Sequence, residues 1–144
     1  MVREVTFEDL DSMLELYLFL HEKTIPKHDN HLAEIWEKIV TDEDYHLIVN
    51  EVDGKIVSSC TCIIIPNLTW NVRPYAFVEN VVTHEDYRKC GYARACLDYA
   101  REIAREADCY KIFLMTGAKD AETLGFYEHA GYNSGDKTGF IQWL

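Results

Sequence analysis

The sequence predicts a mixed α/β domain, and three observations lead to this prediction. Its 144 residues, of which 48% are hydrophobic, match the usual size of one globular domain with a substantial core. Apolar residues follow a helical spacing in some segments and a strand-like pattern in others. A hairpin signal, Asp53-Gly54, joins two of the strand-like runs. We therefore expect a single domain over residues 1–144.

The first 40 residues are expected to hold a short strand and two helices. Residues 2–5 have strand character, and Thr6 with Asp9 forms a capping-box pattern that opens a helix. This helix carries apolar residues at helical spacing: Leu10, Met13, Leu14, Tyr17 and Leu20. Pro26 ends the segment, and a second amphipathic helix is predicted over residues 30–40.

Three strand-like runs follow. The runs HLIVNEV and KIVSSCTCIII flank Asp53-Gly54, and Pro66 ends the second of them. The third run, YAFVENVVT, is predicted to be a buried strand that is interrupted by the polar pair Glu79-Asn80. Because buried polar groups need partners, this pair requires an explanation.

The remaining residues alternate between helix and strand. An amphipathic helix is predicted over residues 91–107, followed by the strand YKIFLMT, a helix over residues 120–129 and a last strand over residues 140–143. The complete order is β-α-α-β-β-β-α-β-α-β, which is a mixed α/β arrangement.

Composition excludes several classes of function. The net charge of −11 argues against a nucleic-acid partner, because phosphate backbones bind to clustered positive charge. No run reaches the roughly 18 apolar residues of a membrane span, and the first residues do not resemble a signal peptide, so we expect a cytoplasmic protein. The five cysteines form no CxxC pair, and His28 and His31 have no companion at a ligand spacing. We therefore predict reduced thiols and no metal site.

The segment Tyr87-Arg88-Lys89-Cys90-Gly91-Tyr92-Ala93-Arg94 carries the main chemical signal. It leads from a predicted strand through a basic, glycine-containing turn into a helix, whose first N–H groups and positive dipole end suit a phosphate or pyrophosphate. The spacing is neither that of a P-loop nor that of a GxGxxG turn. The alternative is a plain helix N-terminus with exposed basic residues.

The pattern Arg88-x-x-Gly91-x-Ala93 resembles the pyrophosphate motif of the Gcn5-related N-acetyltransferase family, [Q/R]-x-x-G-x-[G/A]. Glu79 stands nine residues earlier, where many members carry a strand glutamate, and residues 126–132, FYEHAGY, are similar to the family's F-Y-E-x-x-G-[F/Y]. The order of elements matches over nearly the whole chain. The resemblance implies a mixed, mostly antiparallel central sheet flanked by helices.

The same resemblance implies a site for acetyl-CoA. Backbone N–H groups of one turn would bind the pyrophosphate, next to the motif residue Arg88: Lys89, Cys90, Gly91, Tyr92, Ala93 and Arg94. The pantetheine arm would bond to the backbone around Val81, Val82 and Thr83 as an added strand. Asp120 departs from the family, since many members have an asparagine there that contacts pantetheine.

Two residues are predicted to carry the chemistry. The leaving group is a thiolate, and the family's tyrosine, here Tyr127, protonates it, since a phenol stays protonated at neutral pH. Glu79 is the candidate base that takes a proton from the incoming amine. Alternatively, Tyr127 is a core residue and Glu79 is a structural hydrogen-bonding residue. Cys90, at the pyrophosphate end, is not expected to act as a nucleophile.

The predicted function is direct transfer of an acetyl group from acetyl-CoA to a small amine. The acceptor is expected to be cationic, because residues 1–53 carry a net charge of −10 and residues 54–144 carry −1, with Glu22, Asp29 and Glu34 as the expected lip of its site. The alternatives are a catalytically weak acyl-CoA-binding regulatory module and an acetyltransferase for protein N-termini or lysines. Trp70 and Trp143 are consistent with a homodimer, as in many relatives.

Overall fold

A five-stranded sheet runs through the computed structural model, which describes all of residues 1–144. The strands are β1 (Val2–Glu4), β2 (Tyr45–Val52), β3 (Lys55–Ile65), β4 (Tyr75–Thr83) and β5 (Ile112–Leu114). They lie in the order β1-β2-β3-β4-β5. The first three pairings are antiparallel and β4 pairs with β5 in parallel, so the predicted mixed, mostly antiparallel sheet is confirmed.

Helices connect and flank the strands. They are α1 (Leu10–Tyr17), α2 (Asn30–Thr41), the four-residue α3 (Thr69–Val72), α4 (Tyr92–Glu106) and α5 (Ala121–His129). Helix α4 is the crossover between β4 and β5, as a parallel pair requires. The four longer helices lie where the sequence predicts them, although α1 ends at Tyr17 and does not reach Leu20. None of the helices is long and apolar enough to cross a membrane.

Local signals in the sequence explain how two of the elements begin. The Asp9 carboxylate accepts hydrogen bonds from the backbone N–H and the hydroxyl of Thr6, at 2.7 and 3.1 Å, which confirms the capping box. Between β2 and β3, Asp53 and Gly54 both have positive φ, 49° and 77°. This backbone geometry suits a two-residue hairpin turn.

Buried side chains form two clusters, one on each face of the sheet. Ile48 belongs to one cluster and its neighbours Leu47 and Val49 to the other, because successive residues of a strand point to opposite faces. The first cluster packs against α4 and contains Cys60, Cys62 and Val78, so this side is called the α4 face. The second contains Met13 and Leu16 of α1, and this side is called the α1 face.

The predicted last strand over residues 140–143 is wrong. Residues 140–144 form no strand, and Phe140 and Trp143 are 90% and 86% exposed. Strand β5 is also shorter than the run YKIFLMT. An apolar run becomes a strand only where it forms backbone hydrogen bonds to a neighbouring strand, and residues 140–144 do not pair with the open outer edge of β5.

Candidate active site

The sheet opens between β4 and β5. Only Ala76, Val78 and the residue between them pair with β5, whereas β4 continues to Thr83 without a neighbour on that side. The backbone of Val81, Val82 and Thr83 therefore lies on a free sheet edge. Such an edge can bond to an extended ligand as if to another strand.

A β-bulge lies at the start of this free edge. The register of β3 against β4 shifts between Ser59 and Thr61, and Asn80 has a φ of 50°. Asparagine tolerates this left-handed conformation better than most residues, and bulges often re-aim side chains beside functional sites. The bulge accounts for Asn80 in an otherwise apolar strand.

The turn before α4 presents free backbone donors. Lys89 and Gly91 have φ values of 61° and 84°, and α4 begins at Tyr92. No backbone hydrogen bond uses the N–H groups of residues 89–94, and the first bond of the helix is donated by Ala95 to Gly91. Nothing lies within 4 Å of a Cβ atom built at Gly91, so the turn is open to a ligand. These features fit a bound phosphate group.

The basic side chains of this turn differ in how they are engaged. Arg88 Nε donates to the carbonyl of Thr83 at 3.2 Å, which ties the turn to the end of β4. Arg94 bonds to Asp98 at 3.0 Å and to the carbonyl of His129 at the end of α5. The exposed Lys89 pairs with Glu122 at 2.8 Å. This ion pair is exposed, so Lys89 can exchange the carboxylate for a phosphate.

Tyr127 lies on α5 and packs, half-buried, against the cluster of the α4 face. The centroid of its ring lies 5.0 Å from the ring centroid of Phe126 and 6.4 Å from that of Tyr132. Burial raises the pKa of Tyr127, and nearby Cys60 and Glu79 raise it further. The phenol therefore holds its proton at neutral pH, as a proton donor must.

Asp120 caps the N-terminus of α5. Its carboxylate accepts a hydrogen bond from the N–H of Thr123 at 2.8 Å, and this bond lowers the pKa of Asp120. The cap gives the carboxylate a structural role, while its predicted contact with pantetheine stays a prediction.

Glu79 lies on the α1 face, opposite Tyr127. Val78 is buried in the α4-face cluster, and the next residue of a strand points to the other side. Glu79 still acts electrostatically on Tyr127. A carboxylate and a phenol thus approach the opening between β4 and β5 from its two sides. This arrangement can accept a proton on one side of a reacting group and donate a proton on the other.

Comparison with known proteins identifies the family. The family model described as the acetyltransferase (GNAT) family matches residues 10–132. The chain belongs to this family. It is therefore an acetyltransferase, as the resemblance of the pyrophosphate motif and the FYEHAGY segment predicts.

Individual relatives agree with the family assignment. A glucosamine 6-phosphate N-acetyltransferase of Trypanosoma brucei brucei is 32% identical over 94% of this chain and 90% of its own length. A provisionally assigned acetyltransferase from Agrobacterium tumefaciens strain C58 superimposes with a TM-score of 0.93 at 36% identity, covering 100% of this chain and 99% of that one. An acetyltransferase from Trypanosoma brucei superimposes with a TM-score of 0.82 at 28% identity, with 99% of each chain covered. GNAT acetyltransferases use acetyl-CoA as co-substrate.

One polar residue of this GNAT site belongs to no sequence motif and is absent from the sequence-based predictions. Thr61 lies directly opposite Glu79 in the register of β3 and β4, and is 1% exposed. Its hydroxyl has no hydrogen-bond partner. The available signal was the run KIVSSCTCIII, in which polar residues interrupt a strand that is buried on both faces.

The three acidic residues expected at the acceptor lip are partly engaged elsewhere. Asp29 caps α2 by accepting from the N–H of Leu32 at 3.0 Å, and Glu22 lies 3.6 Å from His21. Glu34 lies on α2. Of the two histidines weighed as metal ligands, His28 lies 3.5 Å from Asp11, and the structure contains no group of three or more His, Cys, Asp or Glu side chains that could hold a metal ion.

Proposed function

We propose that this GNAT enzyme transfers the acetyl group of acetyl-CoA directly to the amine of a small acceptor within a ternary complex. The observation that carries the proposal is the position of Glu79 and Tyr127 on the two sides of the opening between β4 and β5. A base on one side and an acid on the other match the two proton transfers of aminolysis.

The cofactor end of the proposal rests on the backbone. The free N–H groups of residues 89–94 suit the pyrophosphate, and the free edge at Val81 and Thr83 suits the amide-containing pantetheine arm. Bound in this way, acetyl-CoA would present a thioester to the opening.

Proton transfer is assigned to two side chains. Glu79 removes a proton from the protonated amine, directly or through water, so that the nitrogen lone pair can attack the thioester carbonyl. The new C–N bond forms, the C–S bond breaks, and the electron pair leaves with sulfur. Tyr127 donates its proton to that sulfur, and CoA leaves as the thiol. The attacking nitrogen loses its second proton to water as the amide forms, and water returns a proton to Tyr127.

We propose that the acceptor is cationic, with amino sugars as the first candidates. The net charge of −10 over residues 1–53 favours capture of a cation. The 32% identical relative is named for an amino-sugar phosphate, which supports the amino sugar as acceptor but not its positive net charge. Glucosamine and glucosamine 6-phosphate form a matched pair, because they differ only in an anionic group. A polyamine and a lysine-containing peptide extend the comparison to larger cations and to protein substrates.

The test is release of free CoA thiol from acetyl-CoA with each amine at low and high salt. We expect kcat/KM to be higher for glucosamine than for its 6-phosphate at low salt, with the advantage shrinking as salt rises. The triple variant Glu22→Gln, Asp29→Asn, Glu34→Gln should lose much of that advantage, and asparagine keeps the helix cap at position 29. A preference for the phosphate would refute the cationic acceptor and leave acetyl transfer standing. Absence of thiol release with every amine would refute the proposed function.

We also propose that the protein forms a homodimer through residues 140–144. Four of these five residues are apolar, and all four are well exposed: Phe140 (90%), Ile141 (65%), Trp143 (86%) and Leu144 (118%). The outer edge of β5 has no neighbouring strand, and the aromatic rings of Tyr75, Phe77 and Phe113 beside it are only partly buried. An exposed apolar segment and an open strand edge are both stabilised by pairing. The proposed occupant is the same segment of a second copy.

A further inference from the structure

We propose that Thr61 is a positioning residue for Glu79: its hydroxyl donates a hydrogen bond to the Glu79 carboxylate in the substrate complex and so aims the carboxylate at the amine. The inference rests on the proposed function of Glu79 as the base. It adds a residue that no sequence motif marks and that lies on β3, outside the segments that carry the family resemblance.

The first support is the register of the sheet. Thr61 and Glu79 are Cα partners across β3 and β4, so both side chains project from the α1 face. Directly opposite residues of an antiparallel pair have Cβ atoms about 4.5–5.5 Å apart. A threonine hydroxyl and a glutamate carboxylate at that separation can meet after a change of glutamate rotamer alone.

The second support is the unpaired state of the hydroxyl. Thr61 is 1% exposed and its Oγ1 atom has no hydrogen-bond partner. A buried unsatisfied hydroxyl is destabilising by about 1–3 kcal/mol, and valine has the same shape without this penalty. In the free chain the Tyr17 hydroxyl lies nearby, but no hydrogen bond of normal geometry pairs the Thr61 hydroxyl. The hydroxyl gains a partner if Glu79 turns to it when substrates are bound.

Tyr17 of α1 is the third member of this polar group. Burial raises the pKa of Tyr17 well above its usual range, while the neighbouring Thr61 hydroxyl acts in the opposite direction. Tyr17 thus keeps its proton and lies beside Thr61. A chain in which Tyr17 donates to Thr61, and Thr61 donates to Glu79, uses each hydroxyl proton once. Such chains polarise their members and strengthen each bond.

The chain has a defined chemical effect. A hydrogen bond donated to the charged form of a carboxylate favours that form. Loss of the Thr61 hydroxyl should shift the acidic limb of the kcat/KM profile to higher pH.

The experiment compares Thr61→Val and Thr61→Ser in the full-length chain, with an amine that the wild-type enzyme acetylates. For Thr61→Val we expect an unchanged or higher Tm and an acetyl-CoA Kd within about twofold of wild type. Its kcat/KM for the amine should fall about tenfold, with the acidic limb moved to higher pH. Thr61→Ser keeps the hydroxyl, so both kcat/KM and the position of the acidic limb of its pH profile should match the wild type. Tyr17→Phe should also move the acidic limb of the kcat/KM profile to higher pH, but by less than Thr61→Val does.

Ser59→Ala is the matched control. Ser59 is also buried on β3, but its hydroxyl already donates to the carbonyl of Ile48 at 2.8 Å. Its removal should lower Tm without moving the pH profile. The proposal is overturned if Thr61→Val keeps kcat/KM within twofold of wild type, or if its pH profile does not move. Because the wild-type enzyme is active in this experiment, either result would leave the proposed acetyl transfer intact.

Discussion

Glu79 and Tyr127 lie on opposite faces of the sheet, yet they influence each other electrostatically through the opening between β4 and β5. Glu79 belongs to β4 itself. Tyr127 stands 48 residues later in the sequence and is brought to the opening by α5. The opening exists because β5 pairs with β4 only as far as Val78. The separation of the two strands therefore sets where the proposed base, Glu79, and the proposed acid, Tyr127, would act on the same reaction.

Removing the Tyr127 hydroxyl should slow the chemical step. Tyr127→Phe keeps the packing against Phe126 and the α4-face cluster, so we expect kcat to fall by roughly 10- to 10⁴-fold with little change in acetyl-CoA Kd. Tyr132→Phe is the control, since the Tyr132 hydroxyl is buried nearby without a partner and its loss should leave kcat unchanged. Equal effects of the two substitutions on kcat would return Tyr127 to the role of a core residue.

The pH dependence of kcat should reflect the raised pKa of Tyr127. A proton donor must be protonated, and a raised pKa keeps it protonated to higher pH. We therefore expect no loss of kcat assignable to Tyr127 below about pH 10, the usual pKa of a tyrosine. An alkaline fall in kcat at pH 8 that disappears in Tyr127→Phe would contradict this expectation.

Gly91 should be needed for acetyl-CoA binding beyond its effect on the backbone. Its φ of 84° strains any L-residue, so Gly91→Ala should lower Tm slightly and should also raise the acetyl-CoA Kd, because a methyl group obstructs phosphate at the turn. Gly54→Ala is matched, with a φ of 77° in the hairpin and equally open space around it. If both variants lose stability and neither loses affinity, the turn does not hold the pyrophosphate.

The helix-cap role of Asp120 and its proposed contact with the cofactor can be tested separately. Asparagine caps a helix as well as aspartate does, so Asp120→Asn should leave Tm unchanged, and it should lower the acetyl-CoA Kd if the position faces pantetheine. Asp120→Ala should lower Tm because the bond to the N–H of Thr123 is lost. An unchanged Kd in Asp120→Asn would show that the residue serves only as a cap.

The Arg3–Asp9 pair should make stability depend on acidic pH. Asp9 accepts two hydrogen bonds from Arg3, at 2.7 and 2.9 Å, and its pKa is lowered to about 2. A lowered folded-state pKa gives stability that is present above the unfolded value near 3.9 and is lost as pH falls through the folded value. Asp9→Asn should reduce the free energy of unfolding by roughly 1.5–3 kcal/mol at pH 7. The difference from wild type should shrink between about pH 4 and pH 2, and a constant difference would contradict the assignment.

The apolar residues 140–144 should control association. We expect light scattering to show a dimer for the wild type and a monomer for Phe140→Asp/Trp143→Asp, since charges would prevent burial of these side chains. Leu68→Asp is the control, because Leu68 is 87% exposed on the connection between β3 and β4. A wild-type monomer, or a double variant that remains dimeric, would rule out this interface.

Local signals in the sequence predict the order of the long elements and the turn before α4 that is proposed to bind the cofactor. The period of the apolar residues marks α2 and α4, Thr6 and Asp9 mark the capping box, and Asp53-Gly54 marks the hairpin. These signals are local: a helix face or a two-residue turn is encoded within a few neighbouring residues. The motif around Gly91 is equally local, because it needs only a turn and the first N–H groups of a helix.

Which distant residues meet depends on the assembled sheet. The point where β5 leaves β4, the bulge at Asn80 and the pairing of Thr61 with Glu79 depend on register between strands, which no single segment encodes. The same reason explains the wrong prediction for residues 140–143, where a strand-like pattern does not pair with the open outer edge of β5. A strand exists only through hydrogen bonds to its neighbour, so its presence is a property of the assembled sheet.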